Sequence, residues 1–283
     1  MPSLPSSLLR DIARTLIEAQ DGGHQIDPIT NAFPAFSNAD AYQVSEFVRA
    51  QRLADGARVC GRKIGFTNPG MWTPYGVDEP IWGSLYAHTT LKTDLGHIGF
   101  TLDGLCEPRI EPEIVVHFSR QPTAGDSLHQ LVRCIDWVAL GFEVVQSHYP
   151  GWQFKASDTI ADNGLHAALL VAEPMVVEAV TQHACERLCA ALEQFEITVW
   201  RNGEAFANGR GSNVLGSPLL AVAHLLEVLA EQPDSEPVRA GDLVTTGTLT
   251  EAHAVEAGET WHSTLNGIAL PPLQVMFSAG TNA

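Results

Sequence analysis

Two glutamates one residue apart are the first feature of the chain that suggests chemistry. Glu111 and Glu113 lie in the stretch EPRIEPEIVVHF, directly before an apolar, β-branched run. Side chains alternate between the two faces of a strand, so residues 111 and 113 project from the same face and their carboxylates repel each other. This pattern indicates either a cation between them or a solvated strand face, which is the usual environment of glutamate.

A third acid favours the cation. Glu143 lies within DWVALGFEVVQSHY, an otherwise apolar strand, where an uncompensated buried charge is costly. Three acids that face one pocket need a positive partner, and ligands that are all oxygen favour a hard ion. The residues therefore predict a Mg²⁺ or Mn²⁺ site formed by Glu111, Glu113 and Glu143.

Composition limits the class of protein. The chain has 283 residues, 45% of them apolar, which is enough for a substantial core. It has 16 Lys plus Arg against 33 Asp plus Glu, and this net charge of −17 argues against nucleic acid or anionic lipid as a partner. We find neither a signal peptide nor an apolar run typical of a membrane span, and five scattered cysteines without a CxxC pair indicate reduced thiols. We expect a soluble cytoplasmic protein.

The pattern of apolar residues predicts the elements that position these acids. Two amphipathic helices occupy the first 56 residues, the second beginning at a capping box near Ser37 and Asp40. β-rich runs follow at 113–118, 137–146, 166–172, 195–201, 242–249 and 260–277. Helices are predicted at 175–192 and at 218–231, and the Asn-Gly pairs at 202–203 and 266–267 predict hairpins. We therefore predict an α+β protein with an N-terminal helical segment (1–56), a catalytic domain (57–283) and a mixed or antiparallel sheet.

Several stretches in this order carry a family resemblance: GRKIGFTNPGMWTPYGVDEPIWGSL, IEPEIVVHF, GFEVVQSHYPGWQFKASDTIADNG, GRGSNVLGSPLLAVAHLL and AGDLVTTGTLT. Together they resemble the 2-keto-4-pentenoate hydratase family of the fumarylacetoacetate hydrolase superfamily, which includes the 4-oxalocrotonate decarboxylases. The resemblance runs from about residue 57 to 277. It implies a mixed β-roll around a divalent metal, with Glu111, Glu113 and Glu143 as the ligands.

The resemblance also implies catalytic residues. Lys63, within GRKIGFT, would shuttle a proton or hold the substrate carboxylate, and Asp78, within VDEP, would orient or deprotonate water. An Asx turn is the alternative for Asp78. Lys155 would neutralise the substrate, or would instead pair with Asp158 or Asp162.

Three further residues are predicted to bind substrate. Thr248 would hydrogen-bond the substrate carboxylate, Arg62 would hold a second carboxylate, and His148 occupies a position near the pocket where the chain departs from the family pattern. Four aromatic residues form either a pocket rim or else core or subunit contacts: Trp72, Tyr75, Trp82 and Tyr86.

The activity implied is the metal-dependent addition of water to a 2-hydroxy-2,4-dienoate, giving a 4-hydroxy-2-oxo acid in aromatic catabolism. One alternative is decarboxylation of a 2-oxo-3-enedioate, for which Arg62 or Arg109 would hold the second carboxylate. Another is a non-catalytic subunit, which the intact acids and Lys63 argue against. A small 2-oxo or 2-hydroxydienoic acid is the expected ligand. The chain is expected to form a homo-oligomer and to associate with a decarboxylase or aldolase of the same pathway.

Overall fold

The computed structural model describes residues 3–69, 72, 77, 79–178, 181–232 and 235–280. Within these ranges the strands are β1 (Val59–Gly65), β2 (Ile81–Tyr86), β3 (Thr90–Lys92), β4 (His97–Thr101), β5 (Arg109–Phe118), β6 (Ile135–Val145), β7 (His166–Val171), β8 (Met175–Val176), β9 (Glu196–Arg201), β10 (Glu204–Arg210), β11 (Leu243–Thr248), β12 (His253–Ala254), β13 (Thr260–Asn266) and β14 (Gln274–Ser278). The helices are α1 (Ser6–Gly22), α2 (Ile29–Ala32), α3 (Asn38–Ala54), α4 (Leu128–Val132), α5 (Ala156–Ala161), α6 (Gln182–Gln194) and α7 (Pro218–Glu231). Short 3₁₀ turns occur at Pro150–Trp152, Asn163–Leu165 and Gly211–Asn213.

The strands form two mixed sheets. The larger has the order β2-β1-β11-β5-β6-β7-β3, with β12 beside β5 and β8 beside β6. The smaller has the order β10-β9-β13-β14-β4. Most neighbouring strands are antiparallel, but β1 with β11, β3 with β7 and β14 with β4 are parallel. The predicted α+β class and mixed sheet are confirmed.

Strands β5 and β6 are covered on both faces, which explains their almost continuous apolar sequences. Even-numbered residues such as Ile114 and Phe142 belong to the main core, which also includes side chains of α7. Odd-numbered residues such as Val115 and Ala139 form a smaller cluster on the opposite face. Glu111, Glu113 and Glu143 are odd-numbered, so they share the second face.

The N-terminal helices make a core of their own against the central part of the chain. Leu9, Ile12 and Leu16 of α1 pack there with Tyr149 and Ile160. Helix α3 begins at the predicted capping box, in which the Ser37 hydroxyl accepts a hydrogen bond from the backbone N–H of Asp40. Because this core draws on residues from both sides of position 56, the division at 56 stays a prediction.

Two local predictions were wrong in part. Residues 175–176 form β8, and α6 begins only at Gln182, after the Thr181 cap. The pair at 202–203 makes the expected tight turn, with φ of 53° at Asn202 and 84° at Gly203. At the second pair only Gly267 has a positive φ, and β14 does not begin until Gln274, so a longer loop replaces the two-residue turn.

Among the described residues one helical stretch, Gly211–Glu231, is long and apolar enough to meet a simple test for a membrane span. Half of its most apolar window is buried inside the protein. Leu219, Val222 and Leu225 of α7 lie in the main core. Packing in that core accounts for the apolar sequence.

Candidate active site

Strand register brings the three acids together. Glu111 lies directly opposite Glu143 in the antiparallel β5–β6 ladder, and Glu113 lies opposite the adjacent residue on the same face, Gly141. One carboxylate oxygen from each of the three glutamates can be chosen so that all lie within 4.8 Å of one another. The three acids therefore lie close together, and their role as metal ligands stays a prediction.

The oxygen atoms of Glu113 show that the cluster fits a cation. Its side chain is fully buried, and Oε2 accepts a hydrogen bond of 2.8 Å from the backbone N–H of Gly247. Its Oε1 is buried and has no hydrogen-bond partner in the described part of the chain. A buried carboxylate oxygen without a donor is costly. A divalent ion among the three carboxylates would satisfy it, and hard oxygen ligands are those that Mg²⁺ and Mn²⁺ prefer.

Gly247 allows the close approach that this hydrogen bond requires. Its φ is 98°, in the left-handed region that favours glycine. A Cβ atom at this position would lie 1.8 Å from Oγ1 of Thr67. No other residue type would place a backbone donor here without moving the chain.

Burial and nearby charges raise the pKa of two of the three acids and lower the pKa of the third. Burial raises the pKa of Glu111 to about 7, with the Glu143 charge adding to the effect and Lys63 opposing it. Burial also raises the pKa of Glu113 well above its ordinary value, with Glu143 and Glu111 adding to the effect. Burial acts in the same direction on Glu143, but the charge of Lys63 and a hydrogen bond from His166 outweigh it and lower its pKa. Glu143 therefore has the lowest pKa of the three, whereas Glu111 and Glu113 hold their protons to higher pH.

Lys63 supplies the nearest positive charge. Its Nζ lies 3.1 Å from Oε2 of Glu143, and both side chains are almost inaccessible to solvent. Burial lowers the pKa of Lys63, but the three glutamates raise it more, so the amine stays charged. Nζ also donates a hydrogen bond of 2.8 Å to the carbonyl oxygen of Gly164.

The turn Asn163–Leu165, which accepts the hydrogen bond from Lys63, has an unusual backbone. Asn163, Gly164 and Leu165 all have positive φ, between 52° and 64°, a conformation that costs energy for residues other than glycine. The side chain of Asn163 fixes the turn to β2, because it accepts a hydrogen bond from the N–H of Ser84 and donates one to its carbonyl oxygen. In this conformation the turn presents the carbonyl oxygen of Gly164 to the lysine.

A small cavity of about 50 Å³ opens beside the acids. Its polar lining includes Lys63, Glu111, Thr159 and Thr248. The rest of the lining consists of Ile64, Gly65, Phe66, Ile81, Val145, Trp152, Gly164 and Leu165. Polar groups beside an apolar wall suit a small anionic molecule with a hydrocarbon tail.

Two of the six predicted catalytic and substrate-binding residues lie at this cavity, namely Lys63 and Thr248. Arg62 does not lie at the cavity. Its side chain and that of Lys63 project from opposite faces of β1, and its guanidinium lies 5.4 Å from the ring centre of Trp82. Asp78 lies outside the described residues.

His148 and Lys155 are not among the lining residues either. His148 is buried, and its Nδ1 lies 2.8 Å from Oδ2 of Asp162. The side chain of Lys155 is exposed, while its backbone N–H donates to Asp158. Their roles in substrate binding or catalysis stay predictions.

Sequence reasoning missed three residues at the site. Thr159 and Trp152 line the cavity. Trp152 also contacts Arg109, which the sequence already indicates as a candidate: the guanidinium lies 3.9 Å from the ring centre. His166 contacts Glu143 directly, with Nδ1 2.7 Å from Oε1. Alternation along β5 indicates Arg109, since it shares a face with Glu111, but no sequence pattern indicated His166.

The strand pairing and the cluster of three acids define a class of protein. Comparison with known proteins identifies the same class. The family described as "Fumarylacetoacetate (FAA) hydrolase C-terminal" matches residues 99–273. The chain belongs to this family, and the predicted resemblance is confirmed.

Two relatives and one solved structure show which members of the family this chain is similar to. The chain is 30% identical over 262 residues to 2-keto-4-pentenoate hydratase of Burkholderia vietnamiensis, covering 92% of this chain and 94% of that protein. It is 30% identical over 251 residues to 4-oxalocrotonate decarboxylase of Pseudomonas putida, covering 88% and 89%. A solved structure of 4-oxalocrotonate decarboxylase from Pseudomonas putida G7, complexed with magnesium and adipate, is similar with a TM-score of 0.87 and 28% identity. That match covers 98% of this chain and 100% of the decarboxylase chain.

Proposed function

We propose that this protein is a metal-dependent hydratase that adds water to a 2-hydroxy-2,4-dienoate to give a 4-hydroxy-2-oxo acid. The observation that carries the proposal is the cluster of three carboxylates beside a charged lysine, two members of which, Glu111 and Lys63, line one cavity. Similarity to hydratases over more than nine-tenths of the chain supports this choice of reaction. Degradation of aromatic compounds is the setting in which such dienoates would arise.

Glu111, Glu113 and Glu143 would hold a divalent ion, Mg²⁺ or Mn²⁺. When bound, that ion supplies a Lewis acid for the two oxygens of a 2-oxo acid. The chain itself supplies the shape and charge around it. Apolar residues such as Phe66, Ile81 and Trp152 line the cavity where the hydrocarbon part of the substrate would lie.

Lys63 would act as a charged group and a proton donor. Its raised pKa keeps a proton on Nζ near neutral pH, so it is suited to stabilise negative charge on the substrate. We also retain it as the group that would shuttle a proton. Thr248, which lies opposite Glu113 in the β11–β5 ladder, would hydrogen-bond the substrate carboxylate. We retain Asp78 as the group that activates water, and Lys155 as a residue that attracts the anion from outside the cavity.

Decarboxylation of a 2-oxo-3-enedioate is the second candidate. Two observations favour it: the structural similarity to a decarboxylase complexed with magnesium and the dicarboxylate adipate, and the position of Arg109. This arginine is on the same face of β5 as Glu111 and acts on its charge, so it is better suited than Arg62 to meet a second carboxylate.

The proposal includes a cytoplasmic, homo-oligomeric enzyme that associates with a decarboxylase or aldolase of its pathway. The scattered cysteines and the acidic composition support a reducing compartment without nucleic acid as partner. Light scattering of the purified chain, alone and mixed with such an enzyme, measures both forms of association.

One experiment separates the candidates. The Mg²⁺-loaded protein is incubated with 2-hydroxypenta-2,4-dienoate and, separately, with 2-hydroxymuconate, while ultraviolet absorbance and CO₂ are followed. We expect loss of the dienoate without CO₂, and we expect Glu113→Gln to abolish turnover while leaving the circular dichroism spectrum unchanged. Release of CO₂ from muconate would favour decarboxylation, and turnover of neither compound would favour a non-catalytic subunit.

A further inference from the structure

A histidine that no sequence motif indicates is hydrogen-bonded to one of the three acids. His166, the first residue of β7, is almost fully buried. Its Nδ1 lies 2.7 Å from Oε1 of Glu143. A carboxylate oxygen accepts hydrogen bonds, so Nδ1 is the donor in this hydrogen bond. Lys63 forms an ion pair of 3.1 Å with the other oxygen, Oε2, but of the two carboxylate oxygens of Glu143 it is Oε1 that has a hydrogen-bond partner, His166.

A β-bulge directs this histidine toward the acid. Val144 pairs with Ala168, but Val145 pairs with His166, so one extra residue of β7 is accommodated at that point. Regular alternation would place residue 166 on the face opposite Glu143. The extra residue reverses the alternation, and a bulge is a known means of re-aiming a side chain beside a functional site.

The second ring nitrogen of His166, Nε2, also has a partner. Nε2 of His166 lies 3.0 Å from Oγ1 of Thr89. Thr89 is itself fixed at two points: its Oγ1 lies 3.1 Å from the carbonyl oxygen of Tyr86, and its own carbonyl oxygen accepts from the N–H of Leu169 at 2.8 Å. The ring is therefore held between a backbone-anchored hydroxyl and the carboxylate.

We propose that Thr89 and His166 form a positioning relay that holds the Glu143 carboxylate in the orientation needed to ligate the divalent ion. The proposal rests on the metal site proposed above and extends it to residues that would not touch the ion. Partners of this kind behind metal ligands change metal affinity by about 10- to 100-fold when they are removed. His166 is a positioning residue in this account, because it acts through Glu143.

The test is the affinity for Mn²⁺ alone, measured from the electron paramagnetic resonance signal of free Mn²⁺ and by calorimetry. We expect His166→Leu to weaken binding by about 10- to 100-fold, without a comparable loss of thermal stability in the metal-free protein. His166→Asn should recover much of the affinity, because the amide nitrogen of asparagine can occupy the position of Nδ1. Thr89→Val should weaken binding, whereas Thr89→Ser, which keeps the hydroxyl, should not. These two variants also test the relay if His166→Leu does not fold.

The matched control is His117→Leu. His117 makes the same type of pair, with Nδ1 2.6 Å from Oδ1 of Asp136, at the other end of the β5–β6 ladder. Its removal should leave Mn²⁺ affinity unchanged. Equal affinity in wild type and His166→Leu, or no recovery in His166→Asn, would overturn the relay while leaving the metal site intact. Failure of the wild-type protein to bind Mn²⁺ would overturn both.

Discussion

The two acids with raised pKa values make proton release the most direct test of the metal site. Metal binding requires ionised carboxylates, so any proton on Glu111 or Glu113 must leave when the ion enters. The metal-free protein near pH 6 carries such protons, because burial raises the pKa of Glu111 to about 7 and raises that of Glu113 as well. We expect Mn²⁺ binding to release protons and to become tighter as the pH rises.

The size of the effect follows from the pKa of Glu111. A group with a pKa of about 7 is roughly nine-tenths protonated at pH 6 and roughly one-tenth protonated at pH 8. Glu111 alone should therefore release about 0.9 proton per ion at pH 6 and about 0.1 at pH 8. Across the same range it should tighten Mn²⁺ binding about tenfold, or about 1.4 kcal/mol. Glu113 acts in the same direction and adds to both quantities.

Calorimetry in buffers of different ionisation enthalpy measures the released protons at each pH. Glu111→Gln is the informative variant, since it removes the titrating group that lies partly exposed at the cavity. Its proton release should differ less between pH 6 and pH 8 than that of the wild type. Binding without proton release at pH 6, or an affinity independent of pH, would show that the acids are ionised before the ion arrives and would refute the reasoning.

Two substitutions away from the acids test the scaffold. Gly164→Ala would add a Cβ atom 3.0 Å from Cδ of Lys63, at a residue whose φ is 63°. We expect the free energy of unfolding, measured in urea, to fall by about 1 kcal/mol. We also expect the displaced lysine to lower turnover. Thr30→Val removes a buried hydroxyl that donates to Oδ2 of Asp158 at 2.8 Å. We expect the free energy of unfolding, measured in urea, to fall by about 1–3 kcal/mol while Mn²⁺ affinity stays unchanged. A weakened affinity would contradict a purely structural role for this contact.

Much of the site was predictable from local rules. A strand period of two placed Glu111 and Glu113 on one face, and the cost of an unpaired buried charge indicated Glu143. The capping box at Ser37 and the tight turn at Asn202 were predictable for the same reason: each depends on the chemistry of a few neighbouring residues.

Features set by tertiary contacts were not predictable. The bulge that aims His166 at Glu143 depends on the pairing of β7 with β6, and no local pattern specifies it. Arg62 is different, because alternation along β1 is a local rule that already places its side chain on the face opposite Lys63. The start of α6 was placed too early because the apolar residues near 175 fit a short strand as well as a helix.

The pKa pattern explains how a buried cluster of three acids can exist with and without an ion. Without the ion and below about pH 7, the charge of Glu143 is balanced by Lys63, and protons on Glu111 and Glu113 keep those two neutral. With a divalent ion, three ionised carboxylates are balanced by Lys63 together with the two charges of the ion. Both states avoid an uncompensated charge in the interior, which is the costly alternative. Exchange of two protons for one divalent ion therefore leaves the net buried charge unchanged, whereas a monovalent ion would not match this balance.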